Sequence, residues 1–171
     1  SDGAAVAVVG HWSGEVPAGK AVIVTGDTLR ALQKLAHWWR RQLDIPVVAI
    51  TGSNGKTSTK DFTAAVLSQR FRVSATRGNL NNHIGLPLTV LGTTAEHGAA
   101  VWEMGMNHSG ELAPLCEIAK PRYGIITNIG TAHIEFLGSR DAIAEEKGTV
   151  ARALPTDGIL FVPATCDYLD Y

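Results

Sequence analysis

The sequence predicts an α/β fold, a mostly parallel sheet flanked by helices and organised around a phosphate-binding loop, or P-loop. Two observations carry this. From Asp44 onward, short apolar runs alternate with stretches of helical apolar spacing, which implies right-handed crossovers and a parallel sheet. One of those runs, Val47-Val48-Ala49-Ile50, leads straight into Thr51-Gly52-Ser53-Asn54-Gly55-Lys56-Thr57-Ser58, and helical spacing follows from Thr59 to Leu67. A strand, a small-residue turn and a helix start in that order make a site for polyphosphate. Ligands on such a sheet bind beyond the carboxyl ends of its strands.

The elements follow in chain order. Residues 4–9 and 21–24 read as short buried strands, and the Gly- and Pro-containing stretch between them reads as a loop. Gly26-Asp27-Thr28 reads as a helix start, with Asp27 or Thr28 as N-cap. Leu29, Leu32, Ala36, Trp39 and Leu43 make one apolar stripe on that helix. Arg30, Lys34, Arg40 and Arg41 fall mostly on the other faces and predict a solvated surface. Asp44-Ile45-Pro46 ends the helix, launches the loop's strand and marks the expected domain boundary.

Beyond the loop, the pattern predicts a helix over 57–69, a strand over 71–75 and a polar loop over 76–83. Residues 84–91 read as a short helix that tolerates Pro87 in its first turn. A buried strand over 99–104 follows, then a helix capped by Ser109 and running to Ile118. A strand over 123–127, a helix over 142–151 and a strand over 158–162 complete the pass.

Bulk properties narrow the function classes. The chain has 171 residues, 45% hydrophobic and 18% charged, which suits one α/β domain with a short extra piece. A net charge of −1 gives no reason to expect a nucleic-acid or acidic-membrane partner. No apolar run approaches the roughly 20 residues that span a bilayer, so no membrane insertion is expected. The start, Ser1-Asp2-Gly3-Ala4, has no basic segment and does not resemble a signal peptide. Cys116 and Cys166 lack CxxC spacing and read as reduced thiols, and the histidines lack zinc-type spacing. A cytoplasmic monomer is the expectation.

The loop supplies the first chemistry. Glycines let backbone N–H groups crowd an anion, the helix start adds its positive dipole end, and Lys56 adds a mobile charge. Thr57 offers a hydroxyl to the Mg²⁺ that accompanies a nucleotide. Gly52, Ser53, Asn54, Gly55, Lys56, Thr57 and Ser58 are the candidate nucleotide-binding residues. The general formula G-x-x-x-x-G-K-[ST] asks for Gly where Ile50 stands, so this is a shorter T-G-x-x-G-K-T form.

The other strand ends add candidates. Strand 99–102 ends in Glu103, and strand 123–127 ends in Asn128 with His133 beyond it. A parallel sheet delivers Lys56, Thr57, Glu103, Asn128 and His133 to one edge. A carboxylate directly after Ala-Ala-Val-Trp is costly to bury without a partner, and Mg²⁺ on nucleotide oxygens is a suitable one. His133 reads equally as a ligand or as a packed residue. Glu145-Glu146-Lys147-Gly148 reads by composition as a surface charge run.

Taken together, Thr51–Thr57, Glu103-Met-Gly-Met-Asn-His108, Thr127-Asn128 with Ala132-His133-Ile-Glu135, and Lys147-Gly148 resemble the Mur ligase family. These are ATP-dependent amide-bond ligases of peptidoglycan synthesis. The run Gly78-Asn79-Leu80-Asn81-Asn82-His83-Ile84-Gly85-Leu86-Pro87 is most similar to the branch that adds D-alanyl-D-alanine to UDP-N-acetylmuramoyl-tripeptide. The resemblance implies ATP and Mg²⁺ as cofactors and an acyl-phosphate intermediate. It implies that Lys56 holds phosphates, that Thr57 and Glu103 bind a first Mg²⁺, and that His133 binds a second. Lys147 matches a lysine carbamylated in several members, which then helps hold that second metal. Asn79 or Asn82 is expected near the γ-phosphate, with His83 leaving the choice open, and Asn128 near the nucleotide.

Members of the family have about three domains. Residues 1–43 are therefore expected to be the tail of an N-terminal UDP-substrate-binding α/β domain, and 44–171 an incomplete central ATP-binding domain. The C-terminal domain is expected to be absent, so that the chain is a fragment without turnover of its own. Three other readings compete. One is another Mur ligase or a folylpolyglutamate synthetase, against which the Gly78–Pro87 run argues. The second is a P-loop switch, which predicts a Walker-type Asp where Glu103 stands. The third is a non-catalytic nucleotide-binding scaffold.

Overall fold

In a computed structural model, the structure describes residues 3–169. Two parallel strands come first, β1 (Val6–Val9) and β2 (Ala21–Val24), forming a small sheet of their own. They are followed by α1 (Thr28–Arg40), β3 (Val47–Thr51), α2 (Lys56–Leu67), β4 (Val73–Ala75) and α3 (Gly85–Leu91). The chain continues through β5 (Ala99–Glu103), α4 (Leu112–Ala119), β6 (Tyr123–Ile126), α5 (Ile134–Leu137), α6 (Arg140–Arg152) and β7 (Ile159–Phe161).

The second sheet is all parallel, with strand order β4-β5-β3-β6-β7. β3 is its centre, flanked by β5 and β6, and it is almost fully buried. The chain runs outward to β4, returns through β5, then crosses β3 to β6. That reversal opens a crevice at the carboxyl edge of β3, the usual ligand position in open α/β sheets. The register aligns Ile50 with Glu103 and Thr51 with Ile126, so three strands end side by side.

The core packs behind that edge. Trp102 on β5 is fully buried, and its indole Nε1 donates to Ser74 Oγ at 3.3 Å. Leu86 and Val90 of α3, Leu112 and Leu115 of α4, and Ile143 and Val150 of α6 complete the buried set. Gly85 opens α3 hard against the preceding loop, since a Cβ there would lie 2.4 Å from Leu80 Cα.

Several expectations are corrected. β1 and β2 are exposed rather than buried, with Ile23 54% and Val24 58% accessible. Apolar sequence announces burial, but a pair of strands alone cannot supply it. α1 starts where expected, with Asp27 Oδ1 accepting from Arg30 N at 2.9 Å. It packs on α3 and α4. α4 begins at Leu112 without Ser109 as its cap, α6 begins at Arg140 with Ser139 capping Ala142 N, and the short α5 was not foreseen.

Arg40 is the plainest of these corrections. Instead of facing water, its guanidinium donates to the carbonyls of Ala119 (2.7 Å), Leu43 (2.8 Å), Ile45 (3.2 Å) and Lys120 (3.4 Å). It thereby collects free carbonyls at the ends of α1 and α4, where a cation is favoured. Trp39 Nε1 adds a bond to Thr93 O at 2.7 Å. Helical spacing cannot separate a solvated Arg from one clamped by another element. Replacing Arg40→Ala is expected to destabilise the chain by about 2–3 kcal/mol, with Arg40→Lys recovering only part. Urea denaturation of both variants measures this.

Candidate functional site

The site is built at the end of β3. Gly52 has φ 148°, and a Cβ there would fall 1.8 Å from Thr127 Oγ1. Gly55 has φ 78° and opens α2 without a side-chain cap, leaving the first-turn N–H groups available to an anion. Lys56 Nζ folds back onto Gly52 O at 2.8 Å. Partial burial lowers its pKa, and the Glu103 charge opposes that shift. Ser58 lies exposed on the first turn of α2.

The end of β6 braces the loop. Ser53 N donates to Asn128 O at 3.1 Å and Asn54 N to Asn128 Oδ1 at 2.9 Å. Thr127 Oγ1 donates to Asn54 O at 2.5 Å, and Gly130 N to Ser53 Oγ at 2.8 Å. Asn128, expected beside the nucleotide, has its side-chain oxygen committed to shaping the loop.

Glu103 is 2% exposed and fully bonded. Its Oε2 accepts from Thr57 Oγ1 at 2.9 Å, its Oε1 from Asn81 Nδ2 at 2.8 Å, and its own N–H donates to Thr76 Oγ1 at 2.9 Å. Lys60 Nζ in turn holds Thr76 O at 3.0 Å. Asn81, Thr76 and Lys60 are site residues that sequence reasoning missed. Asn82, a candidate for the nucleotide, has its Oδ1 accepting from Ile84 N at 3.1 Å and Gly85 N at 2.9 Å, just before α3. Asn79 lies exposed in the same loop. Asn81 fits beside Gly105, where a Cβ would sit 3.0 Å from three of its side-chain atoms.

His133 has φ 65°, an uncommon conformation for a non-glycine residue, and it opens α5. It is half-buried, and none of its side-chain atoms is hydrogen-bonded among the described residues. Lys147 is not in a surface run: it is 1% exposed, and its amine has no hydrogen-bond or ion-pair partner among the described residues. Burial and the nearby Lys56 charge push its pKa down to about 8, against a smaller opposing pull from Glu146. Glu146 is buried too, with its oxygens accepting from Gly110 N and Leu112 N, both at 2.8 Å, at the start of α4. Composition marks these residues as surface because it is blind to which face of α6 meets α4.

Among the described residues no three His, Cys, Asp or Glu side chains form a metal cluster. Thr57 and Glu103 offer two oxygens of the kind Mg²⁺ takes together with phosphate and water. The donor set therefore fits that ion, and the open loop fits polyphosphate. A cavity of about 660 Å³ lined by Cys116, Lys120, Arg122 and Arg152 lies away from these residues. It touches none of the chemistry, and the carboxyl edge of the sheet remains the better candidate.

Residues 50–171 match the Mur ligase middle domain, and the chain belongs to the Mur ligase family. It is 50% identical over 144 residues to the UDP-N-acetylmuramoyl-tripeptide–D-alanyl-D-alanine ligase of Bacillus subtilis, covering 84% of this chain and 32% of that protein. A crystal structure of MurF from Acinetobacter baumannii aligns with TM-score 0.87 at 39% identity, over 98% of this chain and 36% of that one. MurF from Thermotoga maritima in complex with ADP aligns with TM-score 0.85 at 30% identity, over 94% and 37%. The chain spans about a third of the length of the curated relatives it matches. No helix among the described residues is long and apolar enough to cross a membrane.

Two outcomes follow from this geometry. Gly52→Ala forces the loop away from Thr127 and is expected to abolish nucleotide binding, measured by titration calorimetry with Mg-ADP. Folding disfavours the charged form of Lys147, so the unfolded chain binds more protons between about pH 8 and its ordinary pKa of 10.5. Stability therefore rises with pH across that window. Lys147→Met should remove the rise and raise the melting temperature at pH 7, as scanning calorimetry at a series of pH values will measure.

Proposed function

We propose that this chain is the nucleotide-binding segment of an ATP-dependent ligase that joins D-alanyl-D-alanine to UDP-N-acetylmuramoyl-tripeptide in peptidoglycan precursor synthesis. The observation that carries this reading is Lys147, 1% exposed, without a hydrogen-bond or ion-pair partner among the described residues, and with its charged form disfavoured by burial and by Lys56. A nucleotide-driven switch needs the loop and a cation ligand, but it has no use for such an amine. The names of the relatives support the same substrates.

When bound, ATP with Mg²⁺ supplies the phosphoryl group that turns the tripeptide carboxylate into an acyl phosphate, with charge neutralised as two anions meet. The amides of Ser53 to Lys56 and the start of α2 receive the polyphosphate, and Lys56 exchanges Gly52 O for it. Thr57 and Glu103 would hold the first cation, and Asn81 and Thr76 hold Glu103 in place. Lys147 reacts as the neutral amine with carbon dioxide, releasing one proton. The carbamate would replace a buried cation by an anion and, with His133, would hold a second cation. In this reading residues 1–43 end a substrate-binding domain, and the working protein is cytoplasmic. The segment alone does not turn over.

The test assays the full-length protein with ATP, the tripeptide nucleotide and a panel of dipeptides. Amide formation restricted to D-alanyl-D-alanine is expected, and phosphate release without any amide product would overturn the reading. Lys56→Ala should lower kcat/KM at least a hundredfold. Carbon dioxide-free buffer should reduce activity and bicarbonate restore it, whereas Lys147→Arg should be inactive and indifferent to bicarbonate.

A further inference from the structure

The second half of the proposed reaction needs a base. The acceptor's amino group is an ammonium ion in neutral water and cannot attack the acyl phosphate until it loses a proton. None of the groups placed so far is free for this, because Glu103, Lys147 and His133 are assigned to cations and Glu146 is bonded to two amides of the α4 start.

The loop that leaves Glu103 carries another imidazole. His108 Nδ1 lies 3.1 Å from Glu111 Oε1, and Glu111 Oε2 accepts from Asn107 N at 2.7 Å. Burial by itself would raise the Glu111 pKa, but the Asn107 amide and the His108 contacts outweigh it and hold the carboxyl below its ordinary value. An ionised carboxylate only accepts, so Nδ1 carries the hydrogen and Nε2 of the neutral ring is left with a free electron pair. The ring also meets Phe136 at an interplanar angle of 50°, centroid to centroid 4.8 Å. His108 is nevertheless largely open, with 60% of its side chain accessible.

Position follows from the anchors of this loop. It begins at Glu103 and is held at its far end by Glu146, the neighbour of Lys147, through Gly110 and Leu112. Phe136 stands three residues beyond His133. The loop leaves β5 at Glu103, which puts the imidazole at the carboxyl edge of the sheet, the edge that carries Thr57 and Glu103.

Resting on the ligase reading above, we propose that His108, oriented by Glu111, is the general base that deprotonates the acceptor amine. Nε2 takes one proton from the ammonium, giving an amine and an imidazolium. The nitrogen pair then forms the N–C bond to the acyl carbon, the bond from that carbon to the phosphate oxygen breaks, and phosphate leaves with the electron pair. The remaining surplus proton on nitrogen goes to the departing phosphate. Glu111 acts through the ring and is a positioning residue.

The test separates the two half-reactions in the full-length ligase, using borohydride to trap the acyl phosphate and measuring the amide product independently. His108→Ala is expected to accumulate trappable acyl phosphate as the wild type does without acceptor, while amide formation falls roughly a hundredfold. Added imidazole should restore part of the amide rate in His108→Ala and have no effect on the wild type. Glu111→Gln should show a smaller loss, about tenfold, again confined to the second step. Equal amide rates in wild type and His108→Ala would overturn this inference and leave the ligase reading standing. Loss of acyl phosphate together with amide in His108→Ala would also overturn it. A wild type that forms no acyl phosphate would overturn both.

Discussion

The arrangement of this site depends on one buried carboxylate. Glu103 ends a strand that is inaccessible along its whole length, where an ion without partners is costly. Thr57, Asn81 and Thr76 meet it from three different segments: the first turn of α2, the loop before α3 and the end of β4. Each contact ties a separate part of the carboxyl edge to β5. The carboxylate is thus both the feature that needs neutralising and the post on which the loops are hung.

A complementary constraint comes from two lysines. Burial and the Lys56 charge depress the charged form of Lys147, and among the described residues it forms no ion pair. Glu146, the nearest acidic neighbour in sequence, is bonded to the amides at the start of α4. Two lysines thus stand beside a loop with uncapped amides, while Glu103 and Glu146 are bonded to other groups. The crowding of the lysine charges disfavours the charged form of Lys147 and would be relieved by an arriving anion.

The supporting frame is held in a different way. α1 joins the larger sheet through side chains that donate to carbonyls at the ends of α3 and α4, Trp39 to Thr93 and Arg40 to Ala119. Helix ends expose such carbonyls whatever the surrounding sequence. The contact consequently leaves little trace in apolar periodicity, and Arg40 looks in sequence like any surface base. β1 and β2 show the converse, with strongly apolar sequence and exposed faces.

Much of the fold was legible in the sequence, because its signals are local. Apolar runs bounded by turn residues mark the strands, the Asp27 cap marks the start of α1, and the spacing from Thr51 to Thr57 marks the phosphate loop. The choice among Asn79, Asn81 and Asn82 was not legible, since all three stand in one polar loop and only the return of that loop to Gly105 brings Asn81 to Glu103. Nor was the burial of Lys147, which depends on α6 packing against α4, an element some thirty residues earlier. By itself the sequence determined which residues reach the carboxyl edge of the sheet, because strand ends are set by local pattern. Which of them touch, and which charges go unpaired there, was decided only by tertiary structure, because those contacts join segments whose separation along the chain carries no periodic signal.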